Sequence, residues 1–139
     1  MSTSNSKAKW NGTLKEGKGI MNFTGYEGPF TFASRFADGK ETNPEELLGA
    51  AHAGCFSQFL SALISGEDLV PEIETKAKVH LGNDDTGPLI TGIELSTEVK
   101  CDGLSQEKFD ELAAKAKENC PVSRLFKPTD VELEAKLIQ

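Results

Sequence analysis

Two periods of apolar residues alternate along the chain, and they divide it into strands and helices. Residues 1–6 are polar and predict a frayed start. Lys7 to Leu14 and Gly17 to Phe23 read as a short hairpin turning at Lys15-Glu16-Gly17. Tyr26-Glu27-Gly28-Pro29 is a turn signal. Beyond it Phe30, Phe32 and Ser34 alternate with Thr31, Ala33 and Arg35, which predicts a third strand with Arg35 at its end. Asp38-Gly39-Lys40 then loops into the longest element, a helix over Asn43 to Glu67. Asn43 caps it, Pro44 fits its first position, Glu46 completes a capping box, and Glu45 and Glu46 suit the positive end of its dipole. From Leu47 to Ile64 every side chain is neutral. Apolar residues face nearly all directions, as in a helix buried on nearly every side.

After Gly66 to Pro71 the period returns to two. Ile73, Thr75, Ala77 and Val79 share one face of a strand over Glu72 to Leu81, and Gly82 to Pro88 is dense in turn formers. Leu89 to Lys100 pairs back antiparallel with Ile93, Leu95, Thr97 and Val99 inward. Ser105 caps an amphipathic helix, Gln106 to Asn119, apolar at Phe109, Leu112, Ala113 and Ala116 and closed by Cys120-Pro121. Thr129 to Ile138 reads as a half-buried antiparallel strand. The order βββ-α-ββ-α-β, without repeat or linker, predicts one α+β domain over residues 1–139: antiparallel sheets around a buried central helix. One small sheet cannot cover a helix that is apolar all round. A second copy can, so a homodimer with packed central helices is expected.

Composition narrows the function without naming it. A chain of 139 residues with net charge −7 and a pI near 4.9 does not suit non-specific nucleic-acid binding or an anionic membrane surface. His52, Gln58 and interspersed serines and glycines argue against the long helix as a membrane span. The start MSTSNSKAKW lacks the apolar run of a signal peptide, so a cytoplasmic protein is expected. Three cysteines without CxxC spacing make neither a disulfide framework nor a zinc site, leaving buried thiols or redox chemistry.

Cys55 lies in the middle of the apolar helix. Free cysteine buries readily, so the plain reading is a core residue. Against it stand Cys120, placed at an element terminus where a second thiol can resolve an oxidised first one, and Arg35, which precedes the same helix. Cys55 is about three turns from the helix N-terminus, too far for the dipole to make a thiolate, and apolar surroundings oppose ionisation further. A reactive Cys55 therefore needs a cation brought beside it. Cys120, at the negative end of a helix dipole, suits a resolving thiol better than a first nucleophile.

These residues carry a resemblance. NPEELLGAAHAGCF, with CPVS sixty-odd residues later and RF twenty residues before the cysteine, resembles the OsmC/Ohr family of osmotically inducible and organic hydroperoxide resistance proteins. The likeness runs almost end to end, from Trp10-Asn11-Gly12 and Gly17-Lys18-Gly19 to the last strand, and His52 in AAHAGCF points to the OsmC branch. It implies a thiol peroxidase needing no metal or flavin. Cys55 is then the peroxidatic cysteine, Cys120 the resolving one, Arg35 the arginine that activates the thiolate, and Glu45 the carboxylate that orients Arg35. The implied fold is an intertwined homodimer with active sites at the subunit interface. The implied partners are a hydroperoxide substrate and a dithiol reductant, a lipoylated protein in the Ohr branch, in defence against oxidative and osmotic stress.

Helix geometry adds one expectation. Glu45 and Cys55 are ten residues apart, about 15 Å along the helix axis. One arginine scarcely reaches both, so Glu45 is expected to meet the partner subunit's site across antiparallel central helices. The remaining candidates are plainer. His52, one turn before Cys55, reads as a packed or interface histidine, His80 as a surface residue and Cys101 as a bystander thiol. Phe32, Phe36, Phe56 and Phe59 read as core. A non-catalytic redox-sensing or binding dimer is the alternative function, and Arg35 and Glu45, which structural thiols do not need, weigh against it.

Overall fold

Packing divides the chain between Leu47 and Leu48 into two compact units. The computed structural model describes residues 2–127 and 131–138. The first unit carries strands β1 (Lys7–Asn11), β2 (Lys18–Phe23) and β3 (Tyr26–Phe30) as an antiparallel sheet in the order β1-β2-β3. Trp10 and Phe30 flank Gly19 across the sheet, with ring centroids 5.3 Å apart. A Cβ at Gly19 would lie 2.5 Å from the Phe30 ring and 2.6 Å from that of Trp10, so this strand position must stay bare.

The third strand lies where a turn is expected, at Tyr26–Phe30, and the alternation that follows it does not form a strand. Tyr26–Phe30 pairs with β2, and Phe32–Phe36 instead forms a short helix, α1. Capping outranks the period-two pattern here. The Thr31 hydroxyl accepts from the Ser34 N–H at 3.1 Å and the Ser34 hydroxyl accepts from the Thr31 N–H at 2.9 Å, a reciprocal capping box. Arg35 therefore projects from a helix, not from a strand end. The long helix α2 (Pro44–Ser65) begins in this unit. Asn43 accepts the Glu46 N–H at 2.7 Å as expected, but the Glu46 carboxylate is taken by the Thr42 hydroxyl at 2.8 Å, so the box predicted for Asn43 and Glu46 closes on one side only. The Asn43 amide also donates to the Ser34 carbonyl at 2.9 Å, tying the start of α2 to α1.

The second unit packs α2 residues onto a three-stranded sheet of β4 (Glu72–Asp84), β5 (Gly87–Lys100) and β6 (Val131–Ile138), in that order. Ile73, Ala77 and Val79 of β4 and Ile93, Leu95 and Val99 of β5 face the core, on the predicted faces. Phe56, Leu60 and Ile64 of α2 meet them, and each such side chain contributes about 1.5–3 kcal/mol by burial. A Cβ on Gly49 would stand 3.2 Å from a Val79 methyl, so the helix approaches β4 closely there. Ser57, Thr75 and Thr97 form a hydroxyl ladder at 2.6 and 2.9 Å that satisfies these three hydroxyls against the core.

Strand β6 pairs with β5 in parallel, not antiparallel as its sequence suggests. A strand that returns parallel needs a crossover of a dozen or more residues, and α3 (Gln106–Asn119) supplies it. Thr129, the predicted start of this strand, lies outside the described residues. Ser105 caps α3, and Phe109, Leu112, Ala113 and Ala116 are buried as expected. A further short helix, α4 (Pro121–Leu125), follows at once. The α+β class stands as read from sequence, with α1 and α4 added to the expected order. Within one chain α2 buries a single stripe, His52, Phe56, Leu60 and Ile64, while Ala50, Ala51, Gly54, Gln58 and Ala62 stay exposed.

Candidate active site

Cys55 and Cys120 come together in the second unit. Cys55 sits half-buried on α2, and Cys120, fully buried, joins the end of α3 to the start of α4. The Cys120 thiol neighbours that of Cys55, and both are free. Burial pushes the Cys55 thiol above its ordinary range. The Val122 backbone N–H pulls it back, and the neighbouring Cys120 adds to the rise. Among the described residues of this unit, none supplies the cation that would reverse the balance. The two thiols thus lie together, and the surroundings of Cys55 on balance oppose its ionisation.

Pro121 explains the position of Cys120. Proline is tolerated in a first turn but not inside a helix, so α3 stops and α4 starts at the same residue. The Cys120 N–H still bonds the Ala116 carbonyl at 3.1 Å, while its sulfur accepts the Ser123 N–H at 3.4 Å. Cys120 therefore closes one helix and opens another, a double role that the sequence, read without α4, shows only by half. Its thiol donates to the Ser123 hydroxyl at 3.0 Å, and that hydroxyl lies 2.7 Å from His52 Nε2. Ser123 is the polar partner that sequence reasoning passed over, while His52, read as a packed or interface histidine, is indeed packed and buried. The final letter of the CPVS motif and the histidine one turn before Cys55 were the available signals.

Arg35 and Glu45 meet in the first unit. The Arg35 Nη2 lies 2.7 Å from Glu45 Oε1, and Nε donates to the two carboxylate oxygens at 2.9 and 3.3 Å. This fork fixes the plane of the guanidinium, which a lysine could not match. Glu45 is nearly buried at 9% side-chain exposure, whereas Arg35 keeps 38% and covers the Phe36 ring at 5.3 Å. The backbone beneath is firm: the Gly39 N–H and the Ala37 N–H both bond the Ala33 carbonyl, at 3.0 and 2.9 Å. An exposed guanidinium held rigidly by a buried carboxylate is a preorganised site for a developing negative charge.

Cys101 and His80 keep their plain readings, whereas Phe36, expected in the core, is exposed on the short helix α1. Cys101 is buried with its thiol against the Asp102 carbonyl at 3.9 Å, and His80 pairs with Glu94 on an exposed strand face. Phe56 is core, while the Phe32 and Phe36 rings of α1 meet at a tilt with centroids 5.1 Å apart.

Comparison with known proteins follows the same residues. The chain is 41% identical to the peroxiredoxin OsmC of Escherichia coli (strain K12) over 135 residues, 94% of each chain. It is 34% identical to the organic hydroperoxide resistance protein OhrB of Bacillus subtilis (strain 168) over 97 residues, 68% of this chain and 70% of the relative. The crystal structure of the B. subtilis OhrB superposes with a TM-score of 0.71 at 25% identity, covering 96% of this chain and 98% of the other. Residues 37–134, which hold Glu45, Cys55 and Cys120, match the family described as OsmC-like protein, and the chain belongs to that family.

Proposed function

We propose that this protein is a cysteine-based peroxidase that reduces organic hydroperoxides, and hydrogen peroxide with them, in oxidative-stress defence. The observation that carries the reading is the neighbouring pair of free thiols, Cys55 and Cys120, in a chain similar to a peroxiredoxin along nearly its whole length. The Cys55 thiolate attacks the outer oxygen of ROOH. The O–O bond breaks, the alcohol or water departs with the other oxygen, and Cys55 is left as a sulfenic acid. Cys120 attacks that sulfur, expels water and forms a disulfide, which shields Cys55 from further oxidation. A dithiol, such as a lipoylated protein, restores both thiols.

Arg35, oriented by Glu45, is the activating cation: it stabilises the thiolate and the charge on the leaving oxygen. We assign the pair to the partner subunit's Cys55. Arg35 is held to Glu45, ten residues of α2 from Cys55, or about 15 Å of helix. Antiparallel packing of two α2 helices brings each Glu45 towards the other chain's Cys55, and it covers the small exposed residues Ala50, Ala51, Gly54 and Ala62. By length and composition alone α2 would also suit a membrane span. Its His52–Ile64 stripe is committed to the core, however, so the reading is a soluble, cytoplasmic homodimer.

The test is peroxide consumption by the purified protein with dithiothreitol or dihydrolipoamide as reductant. Wild type and Cys55→Ser are compared on tert-butyl hydroperoxide and on hydrogen peroxide. Turnover that vanishes in Cys55→Ser supports the enzyme. A Cys55–Cys120 disulfide that forms without turnover under any dithiol would replace it with a redox sensor.

A further inference from the structure

Behind the two cysteines lies a polar group without a partner. His52 is fully buried on α2, Ser123 is 5% exposed on α4, and Cys120 is fully buried between α3 and α4. They form one file: the Cys120 thiol donates to Ser123 Oγ at 3.0 Å, and Ser123 Oγ lies 2.7 Å from His52 Nε2. The edge of the Phe126 ring closes the far side of the imidazole, 5.7 Å between centroids and at 77°. His52 Nδ1 is buried with no hydrogen-bond partner among the described residues. An apolar residue of similar volume at position 52 would avoid that desolvation cost, so packing alone does not account for an imidazole there.

The direction of the file follows from its donors. A thiol that donates to Ser123 leaves the serine hydrogen free to point at Nε2, which then accepts. We propose that Ser123 and His52 form a proton relay for the resolving cysteine. As the Cys120 sulfur attacks the Cys55 sulfenic acid, its proton passes to Ser123 Oγ and the serine proton passes to His52 Nε2. The S–S bond forms and the Cys55 S–O bond breaks. The departing hydroxide becomes water by taking a proton from solvent at half-buried Cys55, and the relayed proton stays on the buried imidazole until the disulfide is reduced. The Cys55 sulfur is reduced and the Cys120 sulfur oxidised, with water as the only other product. The same file run backwards protonates Cys120 as the leaving group when a dithiol attacks the Cys55 side of the disulfide.

The need for a relay comes from burial. Cys120 has no access to solvent through which to lose a proton. A neutral imidazole must be present to accept one, and burial, the only cause acting on it, holds His52 below its ordinary value and therefore neutral near pH 7. The titratable groups nearest the file are the thiols of Cys55 and Cys120, while Arg124 on α4 and Glu118 on α3 are exposed. His52 touches no reacting atom and acts only through Ser123.

This inference rests on the peroxidase reading, and stopped-flow measurement separates the two. Sulfenic acid formation on Cys55 and disulfide formation are followed as successive steps from pH 5.5 to 9.5, in wild type, Ser123→Ala, Ser123→Thr and His52→Gln. Glutamine keeps a hydrogen bond to Ser123 without the basicity, and threonine keeps the hydroxyl. The relay predicts that Ser123→Ala and His52→Gln slow the second step relative to the first by about 10²-fold at neutral pH. Their rate then climbs about tenfold per pH unit as hydroxide takes over, while wild type and Ser123→Thr stay nearly flat. A second step equally slow at every pH, or unchanged in Ser123→Ala, would overturn the relay and leave the peroxidase intact. Absence of a sulfenic acid in wild type would overturn the peroxidase itself. If His52→Gln fails to fold, the Ser123 pair alone decides.

Discussion

The arginine cradle and the cysteine nest solve opposite problems with the same device, a helix start. In the first, Thr31 and Asn43 cap α1 and α2 so that a carboxylate pins a guanidinium that remains 38% exposed. In the second, Cys120 opens α4 so that backbone N–H groups of Val122 and Ser123 meet the two sulfurs, and nearly everything is buried. One region offers a fixed charge and little packing; the other offers packing and reactive atoms but no charge. In the proposed function each supplies what the other lacks, and the contrast predicts different responses to substitution.

The largest effect belongs to the cradle and falls on rate alone. Arg35→Lys should lower kcat/KM for hydroperoxide by about 10²–10³-fold, because the fork that holds a developing oxyanion is lost. Its thermal midpoint should hardly move, since a half-exposed ion pair contributes about 0–1 kcal/mol. A large fall in stability with modest loss of rate would reverse the assignment of roles. In the nest the balance tips the other way. Phe56→Ala, which empties a fully buried site beside Leu60 and Ile64, should cost about 3–5 kcal/mol in denaturant unfolding.

Those two regions were unequally legible in the sequence. Periodicity placed β4, β5, α3 and their buried faces, because each pattern runs for ten residues or more and packing follows it. Cys55, Cys120, Arg35 and Glu45 were found by their motifs, but the element carrying Arg35 was misread as strand. Six residues of alternation at 30–35 weigh less than one Thr31–Ser34 capping box. The parallel direction of β6 could not be read from its own residues, since alternation looks the same either way. It depends on where α3 returns the chain. Ser123 went unnoticed because its importance lies in reaching His52, 71 residues away in sequence.

A smaller effect is electrostatic. His52 is held below its ordinary value of 6.5 in the folded state, so the unfolded chain takes up its proton first as pH falls. The stability that neutral His52 permits is therefore present above pH 6.5 and is lost progressively below it. The slope is at most about 1.4 kcal/mol per pH unit. Urea unfolding from pH 7.5 to 5 should show a shallower acid-side fall in His52→Gln than in wild type, and parallel curves would mean that His52 is not buried neutral. The smallest expected change is in the cap: Asn43→Ala should cost about 1 kcal/mol, together with the bond that ties α2 to the Ser34 carbonyl.

The claim that joins the two regions is that the cradle of one subunit serves the cysteines of the other, and subunit mixing tests it most directly. Arg35→Ala retains Cys55 without its cation, and Cys55→Ser retains the cation without its nucleophile. The two are co-refolded in equal amounts, and peroxide turnover is compared with each parent alone. If the sites are shared, each mixed dimer holds one intact site, and turnover should return to about a quarter of the wild-type level after random pairing. A mixture as inactive as its parents, although mixed dimers are present, would contradict the account and return both halves to a single chain.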